Sequence, residues 1–273
     1  MRKISAVKIK DAVAQLCRDA NFFLRRDVLI ALRHAFKTES NKRAKTILKA
    51  ILDNAAYARN EKLAICQDTG MGIVFVEIGQ GVNIAGDLKA AINKGVEAGY
   101  RKYCLRNSIC RDPLLRGKSL FSPCIIYTDI VKGDKIKLTL LPKGFGCENK
   151  SQLKMFKPTA KIEEIKKFVV ETVYSAGPDA CPPYIVGVGI GATADYSGVL
   201  AKKALLRKIS SKSSKLEQDL LKQINKSKIG PMGLGGANTA LAVHIQTYPT
   251  HIAGLPVSVN ISCHALRSAS VIL

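Results

Sequence analysis

The sequence has no tryptophan, only four histidines and few aromatic residues, which make up 6% of its 273 residues. It also has no uncharged apolar run near the roughly 18 residues that a membrane-spanning helix needs. Lysines among its first eight residues interrupt the apolar core that a signal peptide requires. We therefore expect a globular, cytoplasmic protein that is long enough to bury a core without the help of disulfides.

Acidic residues are scarce, with 21 Asp and Glu against 43 Lys and Arg, so the formal net charge is +22. Residues 1–62 carry 15 basic and 6 acidic side chains, and residues 201–228 carry 9 and 2. Such a surface suits nucleic acid, an acidic partner subunit or a dianionic substrate. Both segments have the pattern of helices with solvated faces and no interleaved aromatics. A nucleic-acid-binding module therefore stays only as the alternative to an enzyme.

The spacing of apolar residues predicts a mixed α/β fold. Over residues 5–60 they recur at positions i, i+3, i+4 and i+7, as on a helix with one buried face. After Leu63, short β-rich runs alternate with helical patterns. We predict one domain, with a helical layer over residues 1–62 and a sheet-rich core flanked by helices over 63–273. The turn residues 132–134 predict a β-hairpin between two of the β-rich runs.

A glycine-rich segment, Gly187-Val188-Gly189-Ile190-Gly191-Ala192, follows a predicted strand and precedes a predicted helix. It matches the dinucleotide-binding pattern G-x-G-x-x-[GA]. That function also needs an acidic residue about 20 positions later, at the end of a second strand. The sequence there is rich in serine and lysine, and Glu217 lies on a predicted helix. The glycines therefore indicate close packing of a strand against a helix.

Three of the eight cysteines, Cys66, Cys181 and Cys263, lie where predicted loops meet strands, which is where functional residues concentrate. Cys17 lies on the apolar face of a helix and Cys124 opens a strand, so we expect both in the core. The three loop cysteines are too far apart in sequence for a local zinc motif. Three thiolates are able to hold three corners of a cubane iron–sulfur cluster, but spacing alone does not select these three from eight.

Several ordered segments resemble the α subunit, or N-terminal half, of class I fumarate hydratases and the α subunit of L-tartrate dehydratase. The resemblance extends from about residue 5 to 267 and implies the fold and activity of a hydro-lyase. The segments are Ile65-Cys66-Gln67-Asp68-Thr69-Gly70, Leu105-Arg106-Asn107-Ser108, Pro142-Lys143-Gly144-Phe145-Gly146, Cys181-Pro182-Pro183, Gly233-Leu234-Gly235-Gly236, Pro249-Thr250-His251-Ile252-Ala253 and Cys263-His264-Ala265.

The resemblance implies a role for particular residues of this sequence. The family's cluster ligands fall on Cys66, Cys181 and Cys263, which implies a [4Fe–4S] cluster with one iron that is not ligated by protein. Residues implied to bind substrate are Gln67, Arg106 and Gly146. Residues implied to handle protons are Asp68 and His251, in an order that the sequence leaves open.

These residue types suit the chemistry of water loss. An open iron acts as a Lewis acid, an arginine grips a carboxylate with two N–H groups, and elimination needs a base and an acid. Each residue also has an ordinary alternative role. Asp68 near a turn is typical of a carboxylate that caps backbone N–H groups. His251 is compatible with a structural histidine, and Arg106 with one of many surface bases.

The resemblance also implies a reaction and a partner. We expect reversible hydration of fumarate to L-malate, a step of the tricarboxylic acid cycle, with dehydration of L-tartrate to oxaloacetate as the alternative. In fused relatives a second domain supplies further substrate contacts, and this sequence ends ten residues after Cys263. We therefore expect a separate β subunit in an α₂β₂ heterotetramer, a small dicarboxylate substrate, and neither nucleic acid nor membrane as a partner. One departure from the family pattern is Cys147, where a serine is usual.

Overall fold

The computed structural model describes residues 2–209 and 211–273 and has the predicted mixed α/β architecture. The α-helices are α1 (Ala6–Phe22), α2 (Arg26–Thr38), α3 (Lys42–Glu61), α4 (Leu88–Lys102), α5 (Phe145–Glu148), α6 (Ile162–Ala176), α7 (Ala194–Leu205) and α8 (Lys215–Asn225). The strands are β1 (Arg2–Ser5), β2 (Met71–Gly79), β3 (Val82–Ala85), β4 (Ile109–Asp112), β5 (Arg116–Leu120), β6 (Ile125–Val131), β7 (Ile136–Lys143), β8 (Gln152–Phe156), β9 (Tyr184–Ala192), β10 (Ala240–Thr250), β11 (Leu255–Ser262) and β12 (Ala269–Ile272).

The chain divides into two compact units. The first unit comprises the chain up to Arg25, Ala55–Phe145 and Arg267–Leu273, and the second comprises Arg26–Asn54 and Gly146–Leu266. The predicted N-terminal layer is helical, but α1 belongs to the first unit, α2 to the second, and α3 contributes residues to both. The assignment of residues 1–273 to a single catalytic domain stays a prediction.

The first unit is built on a four-stranded sheet in the order β12-β7-β2-β6. Its central strand β2 is parallel to β6 and antiparallel to β7. Val74 and Val76 of β2 are buried in the same cluster as Ile9 and Val13 of α1 and Ile92 of α4. Helix α1 begins where the Ser5 hydroxyl accepts a hydrogen bond from the backbone N–H of Lys8, a common N-cap contact. The apolar stripe of this helix covers the sheet.

The hairpin predicted between the runs around residues 132–134 is wrong. Strands β6 and β7 are not hydrogen-bonded to each other, because β2 lies between them. The turn after β2 is hydrogen-bonded to the segment between β6 and β7. The N–H of Gln80 donates to the Val131 carbonyl at 2.9 Å, and the N–H of Gly81 donates to the Gly133 carbonyl at 2.8 Å. Strand β2 is apolar and buried on both faces, as is typical of a central strand. Burial of both faces needs a neighbouring strand on each side, and this requirement decides the strand order instead of the turn residues.

The second unit is built on a sheet in the order β10-β9-β11-β8, with β9 parallel to β10 and antiparallel to β11. Helix α7 packs directly on β9. A Cβ atom added at Gly187 would lie 2.1 Å from the Ala201 carbonyl oxygen, and one at Gly189 would lie 2.0 Å from that of Ser197. The prediction that these glycines allow close packing of a strand against a helix is confirmed.

The register of the second sheet brings two chain segments to one edge. Ser262, the last residue of β11, pairs with Ile185 near the start of β9. The residues just before β9 and just after β11 therefore lie at the same end of two neighbouring strands. In the part of the chain that the structure describes, every helix is too short or too polar to cross a lipid bilayer.

Candidate functional site

Residues 65–70, called here the Cys66 loop, join α3 to β2 in the first unit. Hydrogen bonds to backbone groups of the loop hold it in place. The N–H of Ile65 donates to the Asn21 carbonyl at 3.0 Å. The hydroxyl of Tyr100 donates to the carbonyls of Thr69 and Gly70, at 3.0 Å and 2.9 Å. Tyr100 is 2% exposed, and this burial raises the pKa of its hydroxyl, which keeps it a donor. The loop is therefore anchored at both ends.

Gly70 lets the Cys66 loop pass directly against the end of β7. Its φ is +77°, a conformation that glycine adopts without steric cost. A Cβ atom there would lie 2.8 Å from the backbone nitrogen of Lys143. No other residue fits this crossing without movement of the backbone.

Asp68 is half-buried, and both of its carboxylate oxygens and its backbone carbonyl accept hydrogen bonds. Its carboxylate accepts hydrogen bonds from the N–H groups of Gly70 (3.0 Å) and Phe145 (2.8 Å). Its backbone carbonyl accepts one from Nη2 of Arg267 at 2.7 Å. The carboxylate therefore does cap backbone N–H groups, as the ordinary alternative predicted. Each oxygen keeps a second lone pair, so this role leaves Asp68 able to accept a proton.

Two further predicted residues are attached to the same loop. Gln67 is exposed, and its side-chain oxygen accepts a hydrogen bond from the Cys66 thiol with a sulfur–oxygen distance of 3.4 Å. The backbone N–H of Arg106 donates to the Thr69 hydroxyl at 3.0 Å, and the guanidinium of Arg106 is exposed. The first unit thus brings Cys66, Gln67, Asp68 and Arg106 to one loop and its neighbour.

The second unit brings Cys181 and Cys263 to the shared edge of β9 and β11. Cys181 precedes β9 with a positive φ of 57°, and Cys263 follows β11 directly. The backbone N–H and the Nδ1–H of His264 both donate to the Cys181 carbonyl, at 3.4 Å and 3.0 Å. Two of the three predicted ligands therefore lie on segments that are joined by hydrogen bonds.

The remaining two predicted residues lie in exposed parts of the second unit. His251 follows β10, and its Nδ1 accepts a hydrogen bond from the N–H of Ala253 at 3.2 Å. This contact leaves Nε2 as the nitrogen that carries the proton in the neutral ring. Gly146 lies in α5 at the start of the second unit, and no atom is within 4 Å of the place that a Cβ atom would occupy. The space beside Gly146 is open.

The cysteines differ in how deeply their thiols are buried. Cys17 and Cys124 are buried, and burial raises the pKa of both, that of Cys124 to about 12. Both therefore stay protonated in the core, as predicted. Cys66, Cys181 and Cys263 are all half-buried thiols without a disulfide. Cysteine thiolates are the ligands that iron–sulfur clusters use, so the chemistry of these three residues fits such a cluster.

The predicted cluster ligands are divided between the two units. Within residues 2–209 and 211–273, no three or more His, Cys, Asp or Glu side chains are grouped so that they would hold a metal ion. Cys66 belongs to the first unit, whereas Cys181 and Cys263 belong to the second. The structure thus brings together the segments that carry two of the three predicted ligands, Cys181 and Cys263.

A comparison with known protein families identifies the class of protein. The sequence profile described as fumarate hydratase (Fumerase) matches residues 10–272, nearly the whole chain. The chain therefore belongs to the fumarate hydratase (Fumerase) family, whose members are iron–sulfur hydro-lyases. The resemblance found in the sequence motifs is confirmed.

Individual proteins are similar to this chain over most of its length. A Methanocaldococcus jannaschii protein named "Putative L(+)-tartrate dehydratase subunit alpha" is 44% identical over 276 residues, which cover 96% of either chain. The L(+)-tartrate dehydratase subunit alpha of Escherichia coli O157:H7 is 30% identical over 97% of this chain and 91% of its own length. That of Shigella sonnei is likewise 30% identical over 97% and 91%. These names describe α subunits, which implies a separate partner subunit.

Three residues that hold the Cys66 loop escape prediction from the sequence: Asn21, Tyr100 and Arg267. Arg267 is separated from Asp68 by 199 positions and from Asn21 by 246 positions. No local pattern links residues at such distances. The sequence next to Arg267, with Ala265-Leu266 before it and Ser268 after it, does not mark a buried arginine.

Proposed function

We propose that this chain is the α subunit of a hydro-lyase that reversibly hydrates fumarate to L-malate, with a [4Fe–4S] cluster held by Cys66, Cys181 and Cys263. The observation that carries the proposal is the Cys66 loop. There a thiol, an amide, a carboxylate and a nearby arginine are presented by a segment whose backbone is fixed at both ends. Membership of an iron–sulfur hydro-lyase family supports the reaction class.

The cluster, with one iron that is not ligated by protein, would supply a Lewis acid for the departing hydroxide. The guanidinium of Arg106 is exposed beside the loop and suits two parallel hydrogen bonds to a substrate carboxylate. Gln67 has an exposed amide with which to orient the substrate. The open space beside Gly146 would admit the second carboxylate close to the backbone.

The hydrogen bonds of Asp68 and His251 favour a different role for each residue. The Asp68 carboxylate only accepts, and its geometry is fixed by two backbone N–H groups, so we assign it the removal of a proton from carbon. Because Nδ1 of His251 already accepts a hydrogen bond, its Nε2–H is the group that donates. We assign it a hydrogen bond from this Nε2–H to the departing hydroxyl, whose charge the cluster would take.

The second candidate function is dehydration of L-tartrate to oxaloacetate. It is favoured by the names of the three relatives given above, which describe tartrate dehydratase α subunits. L-Malate and L-tartrate differ by one hydroxyl group, and a site built to hydrogen-bond a hydroxyl discriminates strongly against a substrate that lacks it. Both reactions use the same groups of this chain.

The partner that we propose is a separate β subunit in an α₂β₂ heterotetramer. The relatives' names support a partner, and the excess of basic side chains supports an acidic one. The [4Fe–4S] form of the cluster and a cytoplasmic location remain predictions of the sequence.

The test is a substrate comparison with the two-subunit enzyme. Both chains are co-expressed, purified without oxygen, and assayed with fumarate, L-malate and L-tartrate. The proposal expects kcat/KM for fumarate to exceed that for L-tartrate by about 10²-fold or more. A preference of this size for L-tartrate would establish the second candidate instead. Activity with none of the three would contradict both.

A further inference from the structure

Arg267 is a buried arginine in the first unit, with 3% of its surface exposed. Its Nη1 donates to the side-chain oxygen of Asn21 at 3.1 Å, and its Nη2 donates to the backbone carbonyl of Asp68 at 2.7 Å. In the described part of the chain its Nε has no hydrogen-bond partner. Burial of a guanidinium is unfavourable because the charge loses its hydration, so the two hydrogen bonds that Arg267 does make are important for its place in the first unit.

Asn21 connects Arg267 to the start of the Cys66 loop. It is fully buried near the end of α1, where its Nδ2 donates to the Cys17 carbonyl at 2.9 Å. Its backbone carbonyl accepts from Ile65, the first residue of the loop, and its side-chain oxygen accepts from Arg267. One residue of α1 therefore sets both the position of the loop and the position of the guanidinium that reaches its centre.

The carbonyl of Asp68 is the point at which this network meets the proposed chemistry. The two N–H groups that orient the Asp68 carboxylate come from Gly70 and Phe145. These two contacts hold the carboxylate in one orientation as long as the peptide of Asp68 stays in place. Arg267 is the side chain that donates to the carbonyl of this peptide. The planar fork of arginine reaches Asn21 and Asp68 at once, whereas a lysine has a single nitrogen to offer.

We propose that Arg267, held by Asn21, is a positioning residue that fixes the peptide of Asp68 so that its carboxylate keeps the orientation needed for proton transfer. The inference rests on the proposed role of Asp68, but the local geometry can be tested without it. A residue that merely stabilises the first unit would affect all of its core alike. A positioning residue affects the Cys66 loop first and lowers kcat more than it raises KM.

The experiment compares Arg267→Lys, Arg267→Met and Asn21→Ser with Arg101→Met. Arg101 is the matched control, because it lies in the same unit but is exposed and pairs with Glu97 on α4. Hydrogen exchange of the Gly70 and Phe145 amides is measured in the chain itself, and kcat and KM are measured in the two-subunit enzyme. Asn21→Ser removes the contact with Arg267 and keeps the backbone carbonyl that accepts from Ile65.

We expect the Arg267 variants to speed exchange of the two amides about tenfold or more, while amides in the core of β2 and β7 keep their protection. We expect kcat to fall about 10- to 100-fold with KM changed less than about threefold, as for a small misplacement of a catalytic group. Asn21→Ser should produce the same pattern with a smaller amplitude. Arg101→Met should leave both measurements unchanged.

The proposal is overturned if Arg267→Lys and Asn21→Ser leave both the loop amides and kcat unchanged. It is also overturned if exchange accelerates equally throughout the first unit. Should Arg267→Met fail to fold, Arg267→Lys and Asn21→Ser decide alone. If the wild-type enzyme turns over none of the three substrates, the proposed function fails, whereas the exchange measurements still decide whether Arg267 fixes the loop.

Discussion

The two regions that carry the predicted ligands are held in place by different means. The Cys66 loop of the first unit is fixed by side chains, since Tyr100 and Arg267 donate to its carbonyls. The segments of Cys181 and Cys263 in the second unit lie next to the paired strands β9 and β11, and His264 joins them by hydrogen bonds to the Cys181 carbonyl. The Cys66 loop therefore depends on side chains that are distant in sequence, whereas the other two segments also depend on the register of a sheet.

The largest effect is expected where α7 packs against β9 in the second unit. Gly189→Ala would place a Cβ atom 2.0 Å from the Ser197 carbonyl oxygen, which only a movement of α7 away from β9 relieves. We expect the free energy of unfolding to fall by about 3 kcal/mol or more. Gly198→Ala is the control, because its nearest neighbour is 4.0 Å away and it lies within α7. Urea unfolding of both variants checks the prediction, and equal stability would contradict the packing argument.

The second effect concerns chemistry in the loop of the first unit. Asp68→Asn keeps the size of the side chain and removes the proton acceptor, so kcat should fall about 10²-fold or more. Asp134→Asn, an exposed acid of the same unit, should leave kcat unchanged. The assay is the steady-state rate of the two-subunit enzyme. A full rate in Asp68→Asn would exclude Asp68 from proton transfer and leave it with its capping role alone.

Substrate binding at the same loop provides a smaller effect. Arg106→Lys keeps the positive charge but loses the two-pronged contact with a carboxylate, so KM should rise about tenfold with kcat little changed. Arg111→Lys, a nearby exposed arginine, serves as the control. Steady-state kinetics across substrate concentrations separate the two constants. If KM is unchanged, Arg106 does not contact the carboxylate.

The smallest effect tests the anchoring of the loop directly. Tyr100→Phe removes the hydroxyl that donates to Thr69 and Gly70, and should cost about 1–2 kcal/mol of stability. Exchange of the loop amides should accelerate, while the strands β9 and β11 of the second unit stay protected. Tyr57→Phe, at an exposed tyrosine of α3, should change neither quantity. Equal loss of protection in both units would remove the contrast between them.

Local patterns carried most of the prediction of the fold. The helical periodicity of residues 5–60 and the glycines of β9 led to elements that the structure contains. The hairpin between β6 and β7 was wrong, because the insertion of β2 between them is decided by pairing across 50 residues or more and not by the turn residues. Local chemistry selects turns well, but the order of strands in a sheet depends on contacts between distant segments.

The candidate site divides in the same way. Cys66, Asp68 and Arg106 came from motifs along the sequence, and the structure joins them through Thr69 and the loop backbone. Arg267 and Asn21 did not, since Arg267 is 246 positions from Asn21 and 199 positions from Asp68, and a buried arginine has no signature in a sequence. Sequence motifs thus point to the groups proposed to react, whereas the groups that hold them in place become visible only in three dimensions.

The most direct test of the account is the iron content of the two-subunit enzyme purified without oxygen. We expect a brown protein that absorbs near ~400 nm, and this absorbance should be lost in Cys66→Ser, Cys181→Ser and Cys263→Ser. It should be kept in Cys17→Ser, where the thiol belongs to the core. A wild-type protein without iron, or a Cys66→Ser variant that keeps its full iron content, would contradict the claim that these three thiols hold one cluster.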